Sequence, residues 1–110
     1  MKIIKEEKLE ELIVANWTQF IDIQLLKALV KTELQKNLNN LIIIPTKRGS
    51  IKGDSISLSR FYSTKEGYYF WIEFYNLINN QIAEGTMEAF VPYDNKETKI
   101  RSIVGNLHPA

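Results

Sequence analysis

Three carboxylates, three large rings with polar tips and one arginine fall at spacings that a single face of a β-sheet can gather. The run Tyr68–Tyr75 reads Tyr-Tyr-Phe-Trp-Ile-Glu-Phe-Tyr, and side chains alternate across a strand. Tyr68, Phe70, Ile72 and Phe74 then share a face that suits a core. Tyr69, Trp71, Glu73 and Tyr75 share the opposite, amphipathic face. If the chain turns at Asn79-Asn80, Glu84, Glu88 and Phe90 join that second face, and Arg101 reaches it from the next strand. Carboxylates among aromatic rings can hold a cation, a basic peptide or a sugar, and two of them can divide general acid and base roles. The plainer reading is a solvated sheet on which Arg101 and nearby threonine offset ordinary surface glutamates. A second copy of the chain covering the face is another structural reading. Exposed amphipathic rings mark interaction sites more often than catalytic ones. We therefore expect a partner-binding face of Tyr69, Trp71, Glu73, Tyr75, Glu84, Glu88, Phe90 and Arg101.

Other candidates are weaker. The loop containing Lys47, Arg48 and Lys52, with Gly49 and Gly53, has the composition of an anion cradle. It lacks the glycine spacing of a P-loop or a dinucleotide fold, so a solvated loop is the simpler assignment. Strict alternation adds Arg60 to the core face, where a buried guanidinium needs a rim position or an anionic partner. His108 is the only histidine and lies two residues from the end of the sequence given. At such a position we expect fraying, which cannot hold a general base in productive geometry. One histidine and no cysteine exclude a His/Cys zinc site and any disulfide. Ser55, Ser57, Ser59 and Ser63 alternate as the polar side of a strand. No catalytic residue, metal site or cofactor is expected.

The elements that must position these residues can be read from periodicity. Leu9, Leu12, Ile13 and Trp17 recur at helical steps within Lys5–Trp17. Thr18 or Asp22 can cap a second helix with the stripe Leu25, Leu26, Leu29, Val30, Leu34 and Leu38. One kinked helix is the alternative to a pair, with Phe20 and Ile21 at the junction and Trp17 and Phe20 plugging the core. Asn37, Asn39 and Asn40 supply the stop. Leu41–Ile44 is a short apolar run ended by Pro45. It fits a strand buried on both sides or an edge strand. Asn79-Asn80 accepts the positive φ of a two-residue hairpin turn. That turn sets Phe74 opposite Gly85, Ile72 opposite Met87, Phe70 opposite Ala89 and Tyr68 opposite Val91, all apolar pairs. A one-residue slip would mix the faces. A loop over Ser63–Gly67 places Ile56 and Leu58 beside Phe74 and Ile72. A turn near Asp94-Asn95 leads to a last strand, Lys99–Val104, with Ile100 and Val104 inward. The expected fold is a single α+β domain, residues 1–110, with an N-terminal helix pair on an antiparallel meander of about four to five strands.

Composition bounds the rest. With 45% hydrophobic and 25% charged residues and a net charge of +1, the 110-residue chain is an ordinary globular domain. Charges Lys5, Glu6, Glu7 and Lys8 interrupt any apolar leader, and no window reaches a membrane span, so a cytoplasmic protein is expected. Charge is polarised: Lys47, Arg48, Lys52, Arg60 and Lys65 oppose only Asp54 in residues 41–65. Residues 66–97 reverse this, with Glu66, Glu73, Glu84, Glu88, Asp94 and Glu97 against Lys96. Three acidic side chains on the aromatic face argue against nucleic acid as its partner.

Helices followed by a curved antiparallel meander resemble, in architecture alone, the cystatin-like and nuclear-transport-factor-like folds. That resemblance implies a small-ligand binder or small enzyme with a helix–sheet pocket, here around Arg60 and Tyr62. The presumed inner face is otherwise apolar, which favours the first expectation. That expectation is a non-catalytic protein-binding module, concretely an inhibitor of the immunity or antitoxin kind, acting through its sheet face or edge, with a homodimer through the outer face as a further arrangement.

Overall fold

The computed structural model describes residues 21–47, 49, 53–93 and 98–110. The helix expected over Lys5–Trp17, the plugs Trp17 and Phe20, and the turn at Asp94-Asn95 lie outside these residues. Among the described residues one helix, α1 (Ile23–Lys36), packs on a five-stranded sheet. The Asp22 carboxylate caps its start, accepting from the amides of Gln24 and Leu25 at 3.0 and 3.1 Å. The Asn37 side chain donates to the Glu33 carbonyl at 2.8 Å and helps close its end, ahead of a 3-10 turn at Leu38–Asn40. Leu26, Val30 and Leu34, spaced four apart, are fully buried. Leu25, placed in the stripe by sequence, points to solvent.

The strands are β1 (Ile42–Ile43), β2 (Ser55–Ser63), β3 (Gly67–Ile78), β4 (Gln81–Pro92) and β5 (Lys99–Pro109). Their order is β1-β5-β4-β3-β2. The four long strands are antiparallel neighbours, but β1 joins β5 in parallel through Ile42↔Asn106 and Ile43↔Leu107. The sheet is therefore mixed, not an antiparallel meander throughout. Ile42 and Ile43 are exposed, as fits an edge strand that ends before Pro45.

The β3–β4 register is the expected one, from Gly67↔Pro92 to Ile78↔Gln81, and Asn79 and Asn80 turn with φ of 51° and 61°. Ile56 and Leu58 oppose Phe74 and Ile72, as the pattern requires. Two register shifts then break strict alternation. Between Leu58 and Arg60 the shift sets Arg60 opposite Trp71, on the outer face, and buries Phe61. This corrects Arg60's inward assignment: an extra residue in the strand is cheaper than a guanidinium in an apolar core. The shift at Glu88/Ala89 has the same effect in β5. Ile100 opposes Ala89, Ser102 opposes Glu88 and Ile103 opposes Met87. Ile103, rather than Val104, leans on the core; Val104 is 67% exposed.

The core joins Leu26, Val30 and Leu34 of α1 to Phe70, Ile72, Phe74, Met87, Ala89 and Leu107 of the sheet. Gly85 and Gly105 lie opposite each other, and a Cβ on either would collide with a backbone carbonyl of the neighbouring strand. A Cβ on Gly105 would also press the Phe74 ring at 3.2 Å. Asn76 shares this inner face, is fully buried, and neither its amide nitrogen nor its oxygen has a hydrogen-bond partner. Such a group is destabilising by roughly 1–3 kcal/mol. Asn76→Leu should therefore raise stability by about 1–2 kcal/mol, read as a higher urea midpoint at unchanged slope. A lower midpoint would mean the amide is satisfied.

Candidate partner-binding face

The outer face of the sheet divides into an aromatic end and a polar groove. At the aromatic end the Tyr62 and Tyr69 rings stack at 4.9 Å and 6°, and Tyr69 meets Phe90 at 4.7 Å. The Arg101 guanidinium lies over Tyr69 at 5.2 Å and over Phe90 at 4.8 Å, and Arg60 over Tyr62 at 5.8 Å. These are cation–π contacts, in which the ring faces attract the guanidinium charge. Beneath them Tyr69 and Phe90 are buried to 9% and 7% exposure. The Tyr62 hydroxyl donates to Glu88 Oε2 at 3.2 Å. Trp71 is half-buried between the two ends, and its indole N–H has no hydrogen-bond acceptor.

The groove lies further along the same face and has a volume of about 420 Å³. Register explains its shape. One cross-strand row runs Ser55, Tyr75, Glu84, Asn106 and the next runs Ser57, Glu73, Thr86, Val104. The short side chains of Ser55, Ser57 and Thr86 stand beside taller Tyr75 and Glu73, leaving the backbone of Phe74 and Gly85 as part of the lining. Glu73 is exposed, whereas Glu84 is half-buried.

His108 explains how Glu84 is set. It is 1% exposed, sits in β5 opposite Ile82, and its Nε2 lies 2.8 Å from Glu84 Oε1. The carboxylate can only accept, so Nε2 carries the proton and donates. Nδ1 is buried without a partner. Sequence position predicts a frayed terminal histidine; instead β5 runs on to Pro109 and the ring is buried. The missed signal was Leu107, whose inward parity continues that of Ile103 past Gly105. The buried imidazole thus holds the Glu84 carboxylate at the groove wall.

The structure thus brings the eight expected residues onto one face but sorts them. Tyr69, Trp71, Glu88, Phe90 and Arg101 belong to the aromatic end; Glu73, Tyr75 and Glu84 line the groove. Ser55, Ser57, Thr86 and Asn106 complete the groove and were not singled out by sequence. Of the proposed anion-binding residues, Arg48 and Lys52 lie outside the described residues, Lys47 is exposed, and Arg60 belongs to the aromatic end. Arg60 therefore cannot furnish a helix–sheet pocket. Among the described residues no group of three or more His, Cys, Asp or Glu could hold a metal ion, and no helix is long and apolar enough to cross a membrane.

Comparison with protein-family models, curated proteins and solved structures finds no match to the chain. Function must be argued from this face.

Burial raises the Tyr62 phenol above its ordinary value, with the neighbouring Glu88 charge and hydrogen bond adding to the rise and Arg60 partly opposing it. Tyr62 should ionise at higher pH than a free tyrosine, and Glu88→Gln should bring that titration back down. Tyrosinate absorbance, with Tyr62→Phe to assign the step, tests this against Tyr68, which burial and Tyr93 also raise. By linkage, the contribution to stability is complete below the unfolded tyrosine pKa, about 10, and is lost as pH rises through the raised folded value. An unchanged titration in Glu88→Gln would remove the carboxylate from this account.

Proposed function

We propose that the chain is a non-catalytic module that binds another protein through the outer face of its sheet. The observation that carries this reading is the join of an open groove to an aromatic surface whose rings are already held in place. Binding loses less entropy when anchoring side chains are fixed beforehand, and here Tyr62 is stacked on buried Tyr69 while exposed Arg101 is seated over the buried rings of Tyr69 and Phe90. The one imidazole is enclosed behind Glu84, which supports binding over acid–base turnover. The concrete form we propose is an inhibitor of the immunity or antitoxin kind, seated on its target through this face.

The test is affinity capture with the full chain as bait, beside a Glu73→Lys, Arg60→Glu double variant. Both positions are exposed, so the variant should fold with an unchanged circular-dichroism spectrum. A protein partner should be recovered by the wild type and reduced at least tenfold with the variant. Recovery of the same proteins by both baits would reject the face as the binding surface. Light scattering over a concentration series separates a foreign partner from a second copy, since self-association would appear as a mass that grows with concentration and falls in the variant.

A further inference from the structure

The charges of the outer face are segregated into two poles, and the segregation specifies what kind of segment fits. At the groove, Glu73 is exposed and makes no ion pair among the described residues, while His108 holds Glu84 beside it. No lysine or arginine lines the groove among the described residues. Its volume of about 420 Å³ is ample for a long side chain and its backbone. The Ser57 and Thr86 hydroxyls and the Asn106 amide oxygen can accept N–H groups that the carboxylates leave over, and the Tyr75 ring offers a π face to a cation. At the aromatic end, Arg60 and Arg101 expose guanidinium groups that make no ion pair among the described residues and touch only ring faces.

A partner bearing one sign of charge would be attracted at one pole and repelled at the other. Arg60 is level with Trp71, whereas the groove spans the levels of Glu73 and Tyr75. At a rise of about 3.3 Å per residue, the poles are roughly 7–13 Å apart along β3. We propose that the face receives an extended segment of a partner protein that seats an arginine or lysine side chain in the groove at Glu73. An acidic side chain of the same segment, two or four residues away and so on the same face of it, pairs with Arg60. This deepens the protein-binding reading and rests on it.

The test uses the full chain, labelled for amide NMR, titrated with N-acetyl-arginine amide, its neutral isostere N-acetyl-citrulline amide, and the acetylated tetrapeptide amide Asp-Ser-Arg-Ser, whose Asp and Arg share one face when extended. The arginine amide should shift the resonances of Ser57, Glu73, Glu84 and Thr86 saturably, and the citrulline amide should not. The tetrapeptide should bind about tenfold tighter and extend the shifts to Arg60. Glu73→Gln should weaken both arginine-bearing probes about tenfold, whereas Arg60→Gln should remove only the tetrapeptide's gain. Equal binding of citrulline, or indifference to Glu73→Gln, overturns the proposal. If the probes fail while the charge-reversed bait still loses its partner, the cation inference falls and the protein-binding reading stands. If the arginine amide fills the groove while that bait keeps its partners, the groove serves a small free cation, and both readings fall.

Discussion

The β3–β4 hairpin is the constraint on which the rest of the molecule depends. Two twelve-residue strands pair without a break from Gly67↔Pro92 to Ile78↔Gln81. The tight Asn79-Asn80 turn fixes which side chains oppose which, because both residues accept positive φ. Each pair then has its two members on the same side. Phe70, Ile72, Met87 and Ala89 face α1, while Tyr69, Trp71, Glu73, Tyr75, Glu84 and Glu88 face away. A shift of one residue would bury the glutamates and expose the core, at a cost well beyond the few kcal/mol that hold a domain of this size together. The site is thus a consequence of the same register that builds the core.

The flanking strands adapt to that hairpin, and each does so by breaking its own alternation at the same level of the sheet. In β2 the register shifts between the partners of Ile72 and Trp71; in β5 it shifts between the partners of Glu88 and Ala89. Since Trp71 pairs with Glu88, both irregularities lie around one cross-strand row. Each leaves an arginine over aromatic rings on the outer face, Arg60 on one side and Arg101 on the other. The positive pole is built by the irregularities, not by the regular strands. These register shifts lie at the boundary between the aromatic end and the groove.

This explains what the sequence could and could not disclose. The hairpin was legible because three independent signals agreed: alternation in β3, alternation in β4 and a turn dipeptide at the midpoint. The shared outer face of Tyr69, Trp71, Glu73, Tyr75, Glu84, Glu88 and Phe90 followed directly. The bulges were not legible from alternation, which assumes that every residue occupies one pleat. Their signal was energetic: in Ser59-Arg60-Phe61, keeping phase buries the arginine and exposes the phenylalanine, and a single inserted residue reverses both. Ile103 and Val104 posed a harder choice, since either is a suitable core residue. β1 was legible as a short strand but not whether it was buried or at the edge, and its parallel pairing with β5 joins residues about 64 positions apart, a partner too distant for any local pattern to encode. For His108 the inward parity of Leu107, which keeps β5 paired as far as Pro109, outweighs its position near the end of the sequence given.

The buried polar groups suggest how stability and binding geometry were divided between the two faces. Asn76 on the inner face is enclosed with both amide atoms unpaired, a destabilising feature that no neighbouring side chain relieves. His108 on the outer face is equally enclosed, yet one ring nitrogen is spent on Glu84 at 2.8 Å. A charged acceptor gives a stronger hydrogen bond than a neutral one, and the enclosed ring cannot swing away from it. Glu84 is therefore held at a fixed position in the groove wall, while Glu73, one pair along and exposed, keeps its rotamers. A fixed carboxylate gives direction to whatever binds there, and a mobile one adapts to it. That division sets the outer face apart from the packed core on the α1 side.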